Sequence, residues 1–505
     1  MPFYLRAKKI DYTAGKESII ALNQKEAWHY GLRPGDKIAL ETNGNHFIAI
    51  INTTKTRINA GDVGIYSDLW DRYGLREGEI IEMHFLKRAE SIEAIKKKLL
   101  GESLTEKDFN AVVNDIVTER IGPTEIAYFV ASSFPYPYTD RELYYLTKAV
   151  ASHGEQLHLR GTVVDKHSVG GVAGNRTTMI VVPIIACTGL IIPKTSSRAI
   201  TSPAGTADTM EVLAPVSFTA EKIKKIVQKH KGCLVWGGGV NLAPADDKII
   251  KVSYPLSFEP YEKMMVSIMA KKVASDVKYL VIDMPIGEFV KIPDMRTARM
   301  LAQRFVRLGK KFGIKVRVLI TRAKEPVGRG VGPALEARDV LRVLQQTEHL
   351  PTDLEKKSLM LAGMLLELAG KAKKGKGVNM ARTILTSGTA WRKMAAFIRA
   401  QGGNPKITPD DVILGPVKHY LEAQQTGKIV EVNNRTINDI CRALGAPEEK
   451  LAGMYLNKRL GQRVQKGARL CTLYAATDTR MKLAVKTLEK QAVFTIARAP
   501  YIKKR

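Results

Sequence analysis

From Gly161 onward the chain alternates short apolar runs with longer amphipathic or apolar ones. That alternation restricts the fold more than any other feature. "GTVVD" (161–165) reads as a short buried strand, "TTMIVVPIIACTG" (177–189) as a buried helix, and "LIIPKTSSR" (190–198) as a strand running into a loop. "GCLVWGGGV" (232–240), "VKYLVIDMPIG" (277–287) and "KVRVLITRA" (315–323) read as further strands, and "MRTARMLAQRFVRLGKKFG" (295–313) as an amphipathic helix. Strands alternating with helices predict a mainly parallel sheet covered on both faces. Such sheets collect ligands beyond the carboxyl ends of their strands. The stretch "DKHSVGGVAGNRTT", Asp165 to Thr178, lies at one such end, directly after "GTVVD".

At 505 residues the chain is too long for one core. An internal echo marks its first part: "YGLRPGDKIALE" (Tyr30–Glu41) returns as "YGLREGEIIEMHF" (Tyr73–Phe85). Each copy is a turn signal leading into an alternating strand, which predicts a small pseudo-symmetric β-barrel over residues 1–84. Helical apolar spacing follows at Ile92, Ile95 and Leu99, then at Phe109, Val112, Val113 and Ile116. Thr139 and Glu142 form a capping-box pattern. A helical domain over 85–160 is expected. The α/β pattern covers 161–242 and about 277–426. Residues 427–505 are β-rich, with "GQRVQKGARLCTLYA" (461–475) reading as a hairpin of the kind seen in lipoyl carriers, in a structural role.

The totals narrow the partners. Cys187, Cys233, Cys441 and Cys471 are scattered without metal-site or disulfide spacing, which suits a reducing cytoplasm. The longest apolar run, Met179–Pro193, is too short to span a bilayer, and the N-terminus has no apolar signal segment. The formal net charge of +29 calls for an anionic partner. The basic residues are spread along the chain, with only a loop-like cluster at "KAKKGK" (371–376), and aromatics are 7% of residues. Nucleic acid, nucleotide and phosphate all fit that charge, but so few aromatics argue against a stacking platform for single strands.

Three stretches can carry chemistry. In the first, Gly170, Gly171 and Gly174 let backbone N–H groups approach an anion, Lys166 adds charge, and Ser168 and Thr177 add donors. It is not a Walker A loop, and glycines alone leave a plain structural turn open. In the second, "TSSRAITSPAGTADTMEVL" (195–213), Ser196, Ser197, Thr201, Ser202 and Thr206 crowd around Arg198, and Thr206 opens a helix. In the third, "SIMAKK" (267–272), Ser267 and Lys271 share a helix face.

These three stretches, with "NLAPADD" (241–247) and "ILTSGTAWRKMAAFIRAQGG" (384–403), resemble in order and spacing the thymidine (pyrimidine-nucleoside) phosphorylase family over about 99–403. The added N-terminal barrel makes the chain similar to the AMP phosphorylase branch of that family. The resemblance implies a helical domain (85–160 plus about 243–276) facing the α/β domain across a cleft, with the barrel at one end and a C-terminal α+β domain at the other. It implies phosphorolysis of nucleoside 5′-monophosphates to ribose 1,5-bisphosphate and free base, with release of base from unphosphorylated pyrimidine nucleosides as the alternative. Lys166, Ser168, Thr177, Ser196 and Thr206 would hold phosphate. Gly171, Ser197, Arg198, Ala199, Ile200, Thr201, Ser202 and Thr206 would contact the nucleotide, with Ser267 and Lys271 facing the base and Lys291 its 5′-phosphate. The family's histidine in the second loop is replaced around Ser202, and its arginine for a pyrimidine carbonyl is not evident in "KVSY" (251–254). Glu259, before Pro260, stands where an acid would protonate the leaving base, and His167 is the rival donor. Inorganic phosphate is a co-substrate; no cofactor and no metal are implied. Neither nucleic acid nor a membrane is expected as a partner, and a homodimer or larger homo-oligomer is.

Overall fold

A computed structural model describes residues 2–15, 17–42, 44–86, 89–199, 202–253 and 260–497. They form two compact units. One runs to His153 and includes Pro244–Glu262; the other comprises Gly154–Ala243 and the residues from Lys263 onward.

The first unit opens with the barrel. Its elements are β1 (Phe3–Ile10), β2 (Ile19–Asn23), α1 (Gln24–His29), β3 (Lys37–Thr42), β4 (Asn45–Thr54), β5 (Asp62–Tyr66), α2 (Ser67–Tyr73) and β6 (Ile80–Phe85). The strands close in the order β1-β5-β2-β4-β3-β6. Exchanging β1, β2 and β3 with β4, β5 and β6 maps the pairings onto themselves. β1–β5 and β2–β4 are parallel, while β1–β6 and β3–β4 are antiparallel. The sequence echo lies on this pseudo-twofold. Gly35 N–H donates to Ile51 O and Gly78 N–H to Ala7 O, both at 2.8 Å. Tyr30 stacks on Phe3 at 4.0 Å and Tyr73 on Phe47 at 4.2 Å. Leu5, Ile38, Leu40, Ile51, Ile65, Ile81 and Met83 fill the interior, so alternate residues face outward.

The helical part holds α3 (Ser91–Leu99), α4 (Glu106–Val117), α5 (Pro123–Ala131), α6 (Asp140–Ser152) and α10 (Pro244–Ser253). Phe109, Val112, Val113 and Ile116 are buried as their spacing predicts. Leu99 is not: it is exposed, and Lys98 takes the inward position after Ala94 and Ile95. The reason is an ion pair. Lys98 Nζ donates to Glu142 Oε1 at 2.9 Å, with both side chains 3% exposed, and lies over the Tyr138 ring. Glu142 also accepts from Leu104 N–H at 3.0 Å and, as the capping box predicts, from Thr139 N–H at 2.9 Å. Burial opposes its charge, but these donors outweigh it and hold the carboxyl below its ordinary range.

The second unit begins with β7 (Val164–Ser168), α7 (Thr177–Ala186), β8 (Ile192–Ser196), α8 (Thr206–Glu211), α9 (Ala220–His230) and β9 (Gly232–Trp236). α11 (Tyr261–Ala274) enters it, followed by β10 (Tyr279–Ile286), α12 (Met295–Lys311) and β11 (Lys315–Arg322). The pairs β11–β10, β10–β7 and β8–β9 are all parallel, and a parallel bridge between Val163 and Ile191 joins β7 to β8. The expected parallel sheet is therefore present. The strand drawn from "GTVVD" sits later than its apolar residues suggest: Asp165–Ser168 belong to β7 itself, because buried partners receive their polar side chains.

After β12 (Gly330–Val331) come α13 (Pro333–Gln345), α14 (Thr352–Leu368), α15 (Gly377–Thr386) and α16 (Thr389–Ala400). α7, α13, α14 and α16 share one apolar core with β8, β9 and β10. The C-terminal part contains β13 (Val417–Glu422), β14 (Gly427–Val432), α17 (Asn434–Ala443), β15 (Gly453–Leu456), β16 (Arg463–Val464), β17 (Arg469–Ala475), α18 (Asp478–Lys490) and β18 (Phe494–Ala497). The predicted hairpin is absent. β16 pairs with β14, whereas β17 pairs with β13 and β15, so the Lys466-Gly467 turn carries the chain from one sheet to another.

Glu142→Gln leaves Lys98 charged and buried without its counter-ion, and should cost about 3–5 kcal/mol in unfolding free energy. Denaturant titration of the two proteins checks this. A loss below about 1 kcal/mol would mean that the pair is not what holds α3 to α6.

Candidate active site

β7 places successive side chains on opposite faces. Asp165 turns toward Lys272 of α11, to which its Oδ2 is paired, and toward Lys194 Nζ at 3.3 Å. Lys166 turns toward α7, where its Nζ donates to Thr177 Oγ1 at 2.8 Å and Thr178 Oγ1 at 3.2 Å. Ser168, at the strand's end, donates to Asp283 Oδ2 at 2.9 Å and accepts from Asn175 Nδ2 at 3.1 Å. Asp283 is the register partner of Ser168 on β10, and its other oxygen faces Lys357 of α14 at 3.0 Å.

The loop from β7 to α7 turns through three glycines at positive φ. At Gly171 (φ +88°) a Cβ would come within 3.0 Å of Lys291 N, and at Gly174 (φ +68°) within 2.3 Å of Val327 O. Gly170 (φ +95°) has nothing within 4 Å, which leaves its side of the loop accessible to a ligand. Asn434 of α17 clamps the loop, donating to Gly171 O at 2.8 Å and accepting from Ala173 N–H at 3.0 Å.

The second loop leaves β8 at Ser196, whose Oγ is shielded from solvent and has no hydrogen-bond partner among the described residues. Asp208 gathers this loop, accepting from Ala199 N–H at 2.7 Å and Gly205 N–H at 2.8 Å. The Arg198 guanidinium makes two 2.6 Å bonds to Glu211 and one of 3.1 Å to Asp208. It holds Glu211 down to about 2. Ser202 closes the turn onto Ala204 O at 2.8 Å. Thr206 Oγ1 accepts from Arg176 Nη1 at 3.1 Å, and Arg176 is ion-paired with Glu336 of α13. One arginine thus joins the two loops. Ser267 and Lys271 do share a face of α11, with Nζ donating to Oγ at 3.4 Å. Ile200, Thr201 and Glu259 lie outside the described residues.

The electrostatics favour an anion. Burial pulls Lys166 down to about 7; Asp283 opposes that shift, while Lys357, Lys194 and Arg176 add to it. Burial likewise takes Lys194 down to about 8 against Asp165. His167 is half-buried with Nδ1 shielded. Burial, then Lys272, Lys194 and Lys166, push it well below its ordinary value, so it stays a neutral imidazole. Burial raises Glu336 to about 7 despite Arg176.

The motifs did not point to Asp283, Lys194, Lys357, Asn175, Arg176, Glu336 or Asn434. A signal existed for the first two. Asp283 interrupts "YLVIDMP" and Lys194 interrupts "LIIPKT", and a lone charge within an apolar strand must have a buried partner.

A folded-state value near 7 against 10.5 for a free lysine means that the unfolded chain holds this proton more tightly. At neutral pH, burying Lys166 therefore costs stability, on the order of a few kcal/mol. Lys166→Met should lower kcat/KM for phosphate about 10²–10³-fold without lowering the melting temperature. Steady-state kinetics and calorimetry test both. A clear fall in melting temperature would make the lysine a structural element instead.

Residues 160–391 match the α/β domain of the glycosyl transferase family, 92–154 its helical bundle domain, and 428–495 the pyrimidine nucleoside phosphorylase C-terminal domain. An AMP phosphorylase of Methanococcus maripaludis (strain C5) is 40% identical over 95% of this chain and 95% of its own length. Those of Methanothrix thermoacetophila (42%, 92% and 91%) and Methanosarcina acetivorans (40%, 96% and 96%) are comparably similar. Anthranilate phosphoribosyltransferase from Thermus thermophilus shares the fold, with a TM-score of 0.51, 18% identity, and coverage of 61% of this chain and 99% of that one. Full-length identity at this level, together with a helical bundle domain, an α/β domain and a C-terminal domain in order, makes the chain a member of the glycosyl transferase family to which the AMP phosphorylases belong.

Proposed function

We propose that this chain cleaves nucleoside 5′-monophosphates, AMP foremost, by phosphorolysis to ribose 1,5-bisphosphate and free base. One observation carries the reading: a buried lysine on β7, most of whose strongest charged neighbours are cations, donates to hydroxyls of α7, and its strand leads into a glycine loop open at Gly170. A phosphate dianion supplies negative charge there.

Lys166, Ser168, Thr177, Ser196 and Thr206 hold the phosphate so that one oxygen faces C1′ of the ribose, an entropic and electrostatic contribution. As the C1′–N bond to the base lengthens, the sugar gains positive charge, which the adjacent dianion stabilises. The phosphate oxygen bonds to C1′, and the C1′–N electron pair leaves with the base. Glu259 gives that base its proton. His167, neutral, offers an N–H as a hydrogen bond rather than a full proton. The loop from Ser197 to Ser202 lies against the nucleotide, with Arg198 fixing its shape through Asp208 and Glu211. Lys291, beside Gly171, takes the 5′-phosphate, and Ser267 and Lys271 face the base.

The reaction needs no metal or organic cofactor, so it persists in a chelator. The enzyme works as a homodimer or larger in the cytoplasm. The free state of all four cysteines supports that compartment, and no helix among the described residues is long and apolar enough to cross a membrane. A second reading, phosphorolysis of pyrimidine nucleosides, is favoured by the C-terminal domain match at 428–495.

Assaying free base from AMP, CMP, UMP, uridine and thymidine with phosphate separates the two. Release from the monophosphates, AMP above all, is expected; release only from unphosphorylated nucleosides would reject the proposal. Glu259→Gln should lower kcat on AMP about 10²–10⁴-fold. Unchanged turnover in a rapid-quench experiment would remove Glu259 from the proton-transfer step.

A further inference from the structure

The outer face of the barrel carries a row of polar side chains that the proposed chemistry does not use. Cross-strand register sets Tyr4 opposite Glu82, Glu82 opposite Glu41, and Glu41 opposite His46, across β1, β6, β3 and β4. His84, two residues beyond Glu82 on β6, points to the same face. Two carboxylates directly opposite one another on a sheet repel, and a cation between them would relieve that repulsion.

The donor atoms converge. One ligand atom from each of Glu41, Glu82 and His84 can be chosen so that all three lie within 4.8 Å of one another. His84 Nε2 is 3.3 Å from Glu82 Oε1 and 3.7 Å from Glu41 Oε2. It is shielded from solvent, yet makes no hydrogen bond of good geometry to either carboxylate. A tetrahedral ion with ligand bonds of about 2.0–2.1 Å separates its ligand atoms by about 3.4 Å. His46 Nε2 lies 3.2 Å from the other oxygen of Glu41, and the Tyr4 hydroxyl bonds Glu82. Both orient the carboxylates from outside.

We propose that Glu41, Glu82 and His84 bind one divalent transition-metal ion of the Zn²⁺ class on the barrel's outer face, with water in the fourth position. A donor set containing imidazole favours Zn²⁺ over Mg²⁺ or Ca²⁺. The ion neutralises the opposed glutamates and cross-links β3 to β6, at the seam between the two pseudo-symmetric halves. It belongs to the barrel and not to the phosphorolysis chemistry.

Chelator-stripped full-length protein should be titrated with Zn²⁺ against a chromogenic chelator, with Mg²⁺ at the same concentration as a control. One equivalent of Zn²⁺ should bind and raise the barrel's thermal transition. His84→Ala and Glu41→Gln should weaken binding at least about tenfold, and His46→Ala less, while circular dichroism confirms that each variant is folded. Failure of the wild type to bind an equivalent, or His84→Ala binding as the wild type does, would overturn the site and leave the histidines as simple cross-strand partners of the glutamates.

Discussion

The placement of positive charge inside the second unit governs the rest of the site. Lys166 is fully buried, and three of the four charges acting most strongly on it are cations. Such a group is stable only if the fold holds it by other means or if a ligand completes it. Both apply here. Thr177 and Thr178 at the start of α7 accept from its Nζ, and the loop above it is left without side chains at Gly170 and Gly171. Strand, loop and helix N-terminus then form the arrangement in which parallel α/β sheets bind anions.

Around this lysine stands a ring of carboxylates, each tied to a cation. Asp165 holds Lys194 and Lys272, Asp283 holds Lys357 and orders Ser168 and Asn175, and Glu336 holds Arg176. The arginine in turn reaches Thr206 and Ala204 O in the second loop. Fixing the loops through charge pairs on β10, α13 and α14 costs desolvation. In return Ser168, Thr177 and Thr206 are held by hydrogen bonds before any substrate arrives, the kind of preorganisation that the proposed phosphorolysis would draw on.

Much of this was legible from residue order. The barrel echo, the helical spacing at Phe109–Ile116, the Thr139–Glu142 capping box and the strand–helix alternation each obey a local period, and each reappears in the fold. The two loops of the candidate site were legible because glycine and hydroxyl side chains cluster at strand ends. What escaped were long-range pairings. Leu99 and Lys98 exchange roles only because Glu142, far along the chain, buries the lysine. Lys166 and Asp283, or Arg176 and Glu336, lie more than a hundred residues apart, and no local pattern couples them. The β16–β17 turn was misread for the same reason: two strands in sequence paired with partners elsewhere.

Sulfate has the shape and charge of the phosphate dianion and does not titrate near neutrality, so protons taken up when it binds come to the protein. Calorimetric titration of the full-length enzyme with sulfate at pH 8, in buffers of different ionisation enthalpy, counts them. Uptake approaching one proton per bound sulfate, lost in Lys166→Met, is the expected result. Sulfate binding with no proton uptake would contradict the idea that the buried lysine waits for an anion to restore its charge.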